Sequence, residues 1–379
     1  MTLTPLSRTD SSQPLRIAHI DTGPSLRGGQ RQMLMLAQGL RERGHEQVIV
    51  CLEESAVEDR AQRDGFGIFS LPAYDPGHAL GILLWRQQLR TWAPQILHAH
   101  DGRGQTLAWL ASLGLPVRRV ASRRVTFFPS DHWTYRLKYG HTCHAVIAVS
   151  ENIRELSVQA GVPRERITVI PDGVEIPAEL PSATVRQRLR TSWQFEDDNF
   201  VLGFLGASTP EKGLDVALAA LNLLSRKLPK VGLVLAGDDI PRAGAWLTHG
   251  ANPVVPRIIR LCPIEDLAKC FPGLDLFIMP SKAEGLGSSA LLAMANGLPV
   301  VATRVGGLPE IVVENETGWL IPPGSPQALA DAIFLASRDR EKMIEFGRHG
   351  RQRAEGFSAA IMVSRTEALY QHLVSCGLP

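Results

Sequence analysis

No run in this 379-residue chain approaches the roughly 18 to 20 consecutive apolar residues that a membrane-spanning helix needs. The opening stretch, MTLTPLSRTDSSQP, is polar and has no apolar core of the kind a secretory signal carries, so a cytosolic protein is expected. Cysteine is sparse: Cys51, Cys143, Cys262, Cys270 and Cys376 are odd in number and never spaced as C-x-x-C. That pattern speaks for reduced thiols and against a disulfide framework or a zinc knuckle. An excess of one charge is missing too. With 40 Lys and Arg against 38 Asp and Glu, the net charge of +2 excludes a protein whose whole surface grips nucleic acid, and leaves room for a local basic patch. Repeats and low-complexity tracts are absent.

What is present is an ordinary globular composition, 44% hydrophobic and 21% charged, in a chain long enough for two domains. Short runs of Val, Ile and Leu alternate with helix-period segments, the form of a parallel sheet covered on both faces. Strands are predicted at Leu15–Ile20, Val48–Leu52, Ile96–His100, Ala145–Ser150 and Ile167–Ile170. A second series follows at Val201–Gly206, Gly232–Ala236, Ile258–Leu261, Leu274–Met279 and Val300–Thr303. The expected fold is α/β: a disordered tail over 1–14, two Rossmann-like doubly wound domains over 15–176 and 200–357 facing a cleft, a linker over 177–199 and a C-terminal helix over 358–379. Such sheets bind ligands beyond the carboxyl ends of their strands, so the loops after strands carry the functional reading.

Two of those loops stand out. After the first strand, Gly28 and Gly29 open a helix whose Met33, Leu36, Ala37 and Leu40 share a face and which Gly44 ends. Exposed amides at such a helix start suit a diphosphate; the alternative is an ordinary strand-to-helix turn. Late in the chain, Glu284-Gly285-Leu286-Gly287-Ser288-Ser289 follows an apolar strand and begins another helix. There Glu284 can hold sugar hydroxyls while the amides of Gly287 to Ser289 meet phosphate oxygens, or Glu284 merely complements a helix dipole. Gly285 to Ala290 also fits G-x-G-x-x-A, but too late in the chain and too far past its strand for a dinucleotide fingerprint.

The block from Leu274 through GGLPE resembles the signature of family-4 retaining glycosyltransferases of the GT-B type. Further pieces extend the likeness over most of the chain: Gly28-Gly29, His98-Ala-His100-Asp101, Ala148-Val-Ser150-Glu, Val169-Ile-Pro-Asp172-Gly173, Pro210-Glu-Lys212-Gly213 and Gly318-Trp-Leu-Ile-Pro-Pro323. The resemblance implies that Gly28 and Gly29 contact a donor diphosphate, that His100 touches the donor sugar, that Lys212 binds the distal phosphate and that Glu284 holds donor hydroxyls. It also implies a donor cleft completed by the strand-end glycines Gly206 and Gly237 with Gly285, Leu286, Gly287, Ser288 and Ser289. No cofactor or metal is expected, in keeping with the lack of a D-x-D pair at a strand end. Two positions depart from the family: Leu292 stands where an acid holds the ribose, and Ala207 where an arginine faces phosphate.

Between Arg118 and His144 six basic residues, Arg118, Arg119, Arg123, Arg124, Arg136 and Lys138, stand against Asp131 alone, interleaved with Phe127, Phe128, Trp133, Tyr135 and Tyr139. The segment suits an anionic lipid-linked acceptor or the inner face of an anionic membrane, or else is a solvated helix with its aromatics in the core. Arg123 and Arg124, with Asp101, are the acceptor candidates. His98 is expected on the sheet face opposite His100, so that the two share no metal, and His141-Thr-Cys143-His144 lacks a second cluster and reads as packing.

The expected activity is sugar transfer with retention from a nucleotide-diphosphate sugar to a glycan or lipid-linked acceptor, in bacterial surface polysaccharide or lipopolysaccharide assembly. No pair of carboxylates at nucleophile spacing supports a glycosidase scheme. Competing readings are a GT-B epimerase or phosphorylase, a binding module weakened at Leu292 and Ala207, and a nicotinamide dehydrogenase.

Overall fold

The computed structural model describes residues 13–72, 79–126, 132–206, 209–237, 257–261 and 267–376. Ala207, Phe127, Phe128 and Cys262 lie outside the described residues, as does the predicted tail except Gln13 and Pro14. The first seven strands are β1 (Arg16–Ile20), β2 (Glu46–Leu52), β3 (Gly67–Leu71), β4 (Ile96–Ala99), β5 (Arg118–Arg123), β6 (Ala145–Ala148) and β7 (Ile167–Val169). The remaining six are β8 (Phe200–Leu205), β9 (Val231–Ala236), β10 (Arg257–Leu261), β11 (Leu276–Met279), β12 (Val300–Thr303) and β13 (Gly318–Ile321).

They form two all-parallel sheets, in the orders β3-β2-β1-β4-β5-β6-β7 and β10-β9-β8-β11-β12-β13. Ile17 to Ile20 of β1 are fully buried, as a strand covered on both faces requires. All ten predicted strands are present within a residue or two at each end. Three were missed: β3, β5 and β13. Three arginines disguise β5 as a basic segment, whereas β3 and β13 open on glycine.

Each sheet reverses its strand order once, between β1 and β4 in the first and between β8 and β11 in the second. Loops part at such a point and leave a crevice beyond the strand ends. The first crevice is bordered by Asp21 after β1 and His100 after β4; the second by Gly206 after β8 and Pro280 after β11. Apolar packing is continuous between the domains, with Val149 and Ile153 of the first in one cluster with Leu286, Leu308 and Ile311 of the second.

The stretch 177–199 contains a helix, Ala183–Ser192. Its Arg186 and Arg190 both pair with Asp275, which also accepts the Val201 amide at 2.7 Å. Arg190 is almost fully buried and bonds the Gly273 carbonyl as well, so removal of Asp275 would leave a buried charge without its counter-ion. The last helix, Ala359–Ser375, returns to the first domain. A β-bridge between Val174 and Ser358 directs it there, and it packs on the Gly28–Glu42 helix so closely that a Cβ at Gly39 would lie 2.5 Å from Val363. Glu367 then meets Arg43 and His45, and the Tyr370 hydroxyl meets His98 Nδ1.

Candidate functional site

In the second domain, Lys212 and Glu284 are 72 residues apart in sequence and form an ion pair, Nζ to Oε2 at 2.6 Å. The fold makes this pair by close backbone contact. Gly213 adopts φ +71°, and a Cβ there would lie 2.0 Å from the Pro280 carbonyl, so only glycine lets the Lys212 turn sit against the end of β11. The aliphatic stem of Lys212 passes over Gly206, which in turn packs against Gly237. Ser281 also donates to Glu284 Oε2, at 3.3 Å. Both charged side chains keep part of their surface exposed, 28% for Lys212 and 12% for Glu284, so a ligand can reach them.

The segment after Glu284 is held from two sides. Its carbonyl packs where a Cβ at Gly306 would come within 1.7 Å, and a Cβ at Gly285 would lie 2.0 Å from the Arg124 carbonyl of the first domain. Ser150 donates to the Gly285 carbonyl at 2.7 Å while capping the helix Glu151–Gln159. Glu310 of the second domain accepts the first amides of that same helix, Glu151 N at 2.9 Å and Asn152 N at 3.0 Å. A carboxylate on a helix start is favoured by dipole and hydrogen bonds alike. The glycine loop, Arg124 and the Ser150 helix are thus joined by direct contact across the cleft. Leu286 is buried, and Gly287 leads into the helix Ser288–Ala295 with φ +104°.

In the first domain, Asp21 organises the glycine turn. Its Oδ1 accepts Gly23 N at 2.8 Å and Gln30 Nε2 at 3.0 Å, and burial, aided by Asp101 nearby, raises its pKa. Gly28 and Gly29 begin the helix Gly28–Glu42. Asp101 caps the helix Gly102–Ala111: its oxygens accept Gly104 N, Arg103 N, Thr22 N and the Thr22 hydroxyl. Arg123 turns toward Tyr135 and Tyr139, 5.3 Å from each ring. Arg124 instead donates through Nε to Asp172 Oδ1 at 2.9 Å and contacts His100 Nδ1 through Nη1 at 3.2 Å. Asp172 Oδ2 accepts the Ser288 hydroxyl at 2.9 Å, a further bond between domains. Gln32 grips both backbone atoms of Gly173 and fixes that loop. Asp172, Ser150 and Glu310 were legible only as parts of motifs, without a role.

The expectation that His98 and His100 leave opposite faces is incorrect. Side chains on a strand repeat every two residues, so the two share a face, and their ring centroids lie 4.0 Å apart. With His19 they form the one group among the described residues whose ligating atoms could meet a single ion, all within 4.8 Å. Each ring nitrogen is already engaged. His19 Nδ1 faces His100 Nε2 at 3.1 Å, His19 Nε2 faces Gln47 at 2.9 Å, and His98 lies between Tyr370 and Ser122. Burial drives His19 down to about 4 and His98 and His100 well below the usual range, with the Arg124 charge adding to the effect. In the His141–His144 cluster, Cys143 is buried and its thiol is pushed up to about 12, while His144 Nδ1 accepts the Arg119 amide.

Two family models match consecutive parts of the chain: "Glycosyltransferase Family 4" over residues 26–176 and "Glycosyl transferases group 1" over 185–353. A GDP-mannose-dependent alpha-(1-6)-phosphatidylinositol monomannoside mannosyltransferase of Mycolicibacterium smegmatis is 27% identical over 86% of this chain and 90% of its own length. A D-inositol 3-phosphate glycosyltransferase of Corynebacterium glutamicum is 31% identical over 61% of this chain and 58% of its own length. Among solved structures, HepE of Anabaena in complex with UDP superposes with a TM-score of 0.83 at 20% identity, covering 94% of this chain and all of HepE. At that identity the superposition carries the fold.

Proposed function

The chain belongs to the family-4 glycosyltransferases of GT-B fold, enzymes that use nucleotide sugars, and on that premise we propose that it transfers a sugar with retention of configuration, without a metal, to a lipid-linked glycan of the bacterial surface. The observation that carries this reading is the Lys212–Glu284 pair at the β8/β11 crevice, beside the start of the Ser288 helix. Lys212 is placed to stabilise negative charge on a departing diphosphate, and Glu284 to hold sugar hydroxyls. The amides that open the Gly28 and Ser288 helices add donors of the kind anions bind. A Cβ at Gly28 would meet no atom of the described residues within 4 Å, which leaves open space beside that helix start for a ligand.

Among the described residues no carboxylate pair is placed to form a covalent sugar intermediate, so the proposed retention calls for attack on the face the leaving group departs from, with the leaving phosphate taking the acceptor proton. The protein positions the reactants and stabilises developing charge. Approach of the two domains excludes water that would hydrolyse the donor. A lipid-linked acceptor is supported by the exposed Trp133 and Leu137 beside Arg136 and Lys138, and by the acceptor in the name of the M. smegmatis relative.

The test is a transfer assay with UDP- and GDP-sugars and matched lipid-linked and water-soluble acceptors, with the anomeric configuration of the product read by NMR. Retained configuration and preference for the lipid-linked acceptor are expected, with Glu284→Ala at least roughly tenfold slower. Inverted product, or full activity in Glu284→Ala, would reject the mechanism or the site.

A further inference from the structure

A guanidinium has only donors and keeps its charge, so the contact between Arg124 Nη1 and His100 fixes where protons lie. His100 Nδ1 must accept, and the neutral ring therefore carries its proton on Nε2. That proton points at His19 Nδ1, 3.1 Å away, which accepts in turn. His19 then carries its proton on Nε2 and donates to Gln47 Oε1 at 2.9 Å, and Gln47 Nε2 donates to the Ala37 carbonyl at 2.7 Å. Every link runs in one direction, with no donor facing a donor. Burial that holds both imidazoles neutral agrees with this order.

Two consequences follow. His100 has no ring nitrogen left for a sugar hydroxyl; what its Nδ1 does is hold a guanidinium. That guanidinium stands where the two helix starts meet. A Cβ on Gly29 would lie 3.8 Å from Arg124 Cδ, and Asp172, bound to Arg124 Nε, accepts the hydroxyl of Ser288. Among the described residues Nη2 has no partner. Arg124 also balances the charge of Asp172, which would otherwise face an incoming phosphate as a bare carboxylate at the start of the Ser288 helix.

We propose that Arg124 serves the donor and not the acceptor, holding the nucleotide's diphosphate between the Gly28 and Ser288 helix starts, and that His100 is the positioning residue that aims it. The assignment rests on the cleft taking a nucleotide-sugar donor. It supplies, from the first domain, a second phosphate-facing cation beside Lys212.

Calorimetric titration of the full chain with UDP, UMP, GDP and GMP tests both residues, because the monophosphate serves as an internal control for folding. The wild-type chain is expected to prefer the diphosphate of one nucleoside by roughly tenfold or more, as a charge-assisted contact to the outer phosphate provides. Arg124→Ala cuts that preference by roughly threefold or more, Lys212 keeping the remainder, while monophosphate affinity stays within about threefold and acceptor KM is unchanged. His100→Leu does the same, whereas His100→Asn, whose amide oxygen stands near the Nδ1 position, restores the preference. If Arg124→Ala loses monophosphate binding too, Arg124→Lys decides: it keeps the charge, lacks the fork that binds Asp172 and His100 together, and is expected to show an intermediate preference. A wild-type preference that survives undiminished in the Arg124 variants overturns the inference alone. Absence of any nucleotide binding by the wild-type chain overturns the donor reading beneath it.

Discussion

Gly285→Ala is expected to slow sugar transfer by roughly a hundredfold or more, the cost of about 1 Å of misplacement in a positioned site. The Cβ it adds would sit 2.0 Å from the Arg124 carbonyl oxygen and 2.8 Å from its carbon, both backbone atoms of the other domain. Retreat is blocked on the near side, because the Glu284 carbonyl already fills the space beside Gly306. The clash lies between domains, so each domain still folds. What fails is the approach that brings Ser150 to the Gly285 carbonyl and Glu310 to the Glu151–Gln159 helix. Parallel measurement of kcat and of thermal unfolding separates these effects: kcat falls while Tm stays within a few degrees. A variant with near-normal kcat would show that the joined arrangement of the domains is not the one in which transfer occurs.

Lowering pH from 7.5 to 5.0 is expected to destabilise the chain, with His19 contributing about 2 kcal/mol and His98 and His100 acting in the same direction. In the unfolded chain a histidine takes up its proton near 6.5. His19 in the folded chain waits until about 4, and His98 and His100 are depressed in the same direction. Below about 6.5 the unfolded state binds more protons, so stability falls as pH falls, and the His19 share of the loss levels off near 4. His19 alone contributes on the order of 2 kcal/mol between pH 6.5 and 5.0. Asp21, with its raised pKa, acts in the opposite direction, and half-exposed His144, also near 4, adds to the trend. Urea unfolding at a series of pH values reads the slope directly; a flat profile between 7 and 5 would show that the three rings are not held neutral.

The parallel sheets were legible because fully buried strands are written as unbroken apolar runs. Where charge interrupts the run, as in β5, or glycine opens it, as in β3 and β13, the signal is lost. At the second crevice, Glu284 and its glycine loop stood out from their place after an apolar strand, and Lys212 through the family resemblance, and the structure brings them to one crevice. Their mutual geometry was not: nothing local says that Lys212 and Glu284 touch, or that the Gly285 position faces the Arg124 backbone. The same limit explains Arg124, which reads as one of six basic residues until the fold separates it from Arg123 and turns it toward His100 and Asp172. Helical periodicity gave the last helix without its destination, which the Val174–Ser358 bridge and the contacts of Val363, Glu367 and Tyr370 reveal.

The most direct test of the donor cleft is titration of the full chain, in metal-free buffer, with UDP, GDP, ADP, CDP and dTDP, repeated on Lys212→Ala. One diphosphate should bind in preference to the others, and loss of the Lys212 charge should weaken it by roughly tenfold or more. No binding to any of the five, or equal binding after Lys212→Ala, would contradict a nucleotide-sugar site built on the Lys212–Glu284 pair.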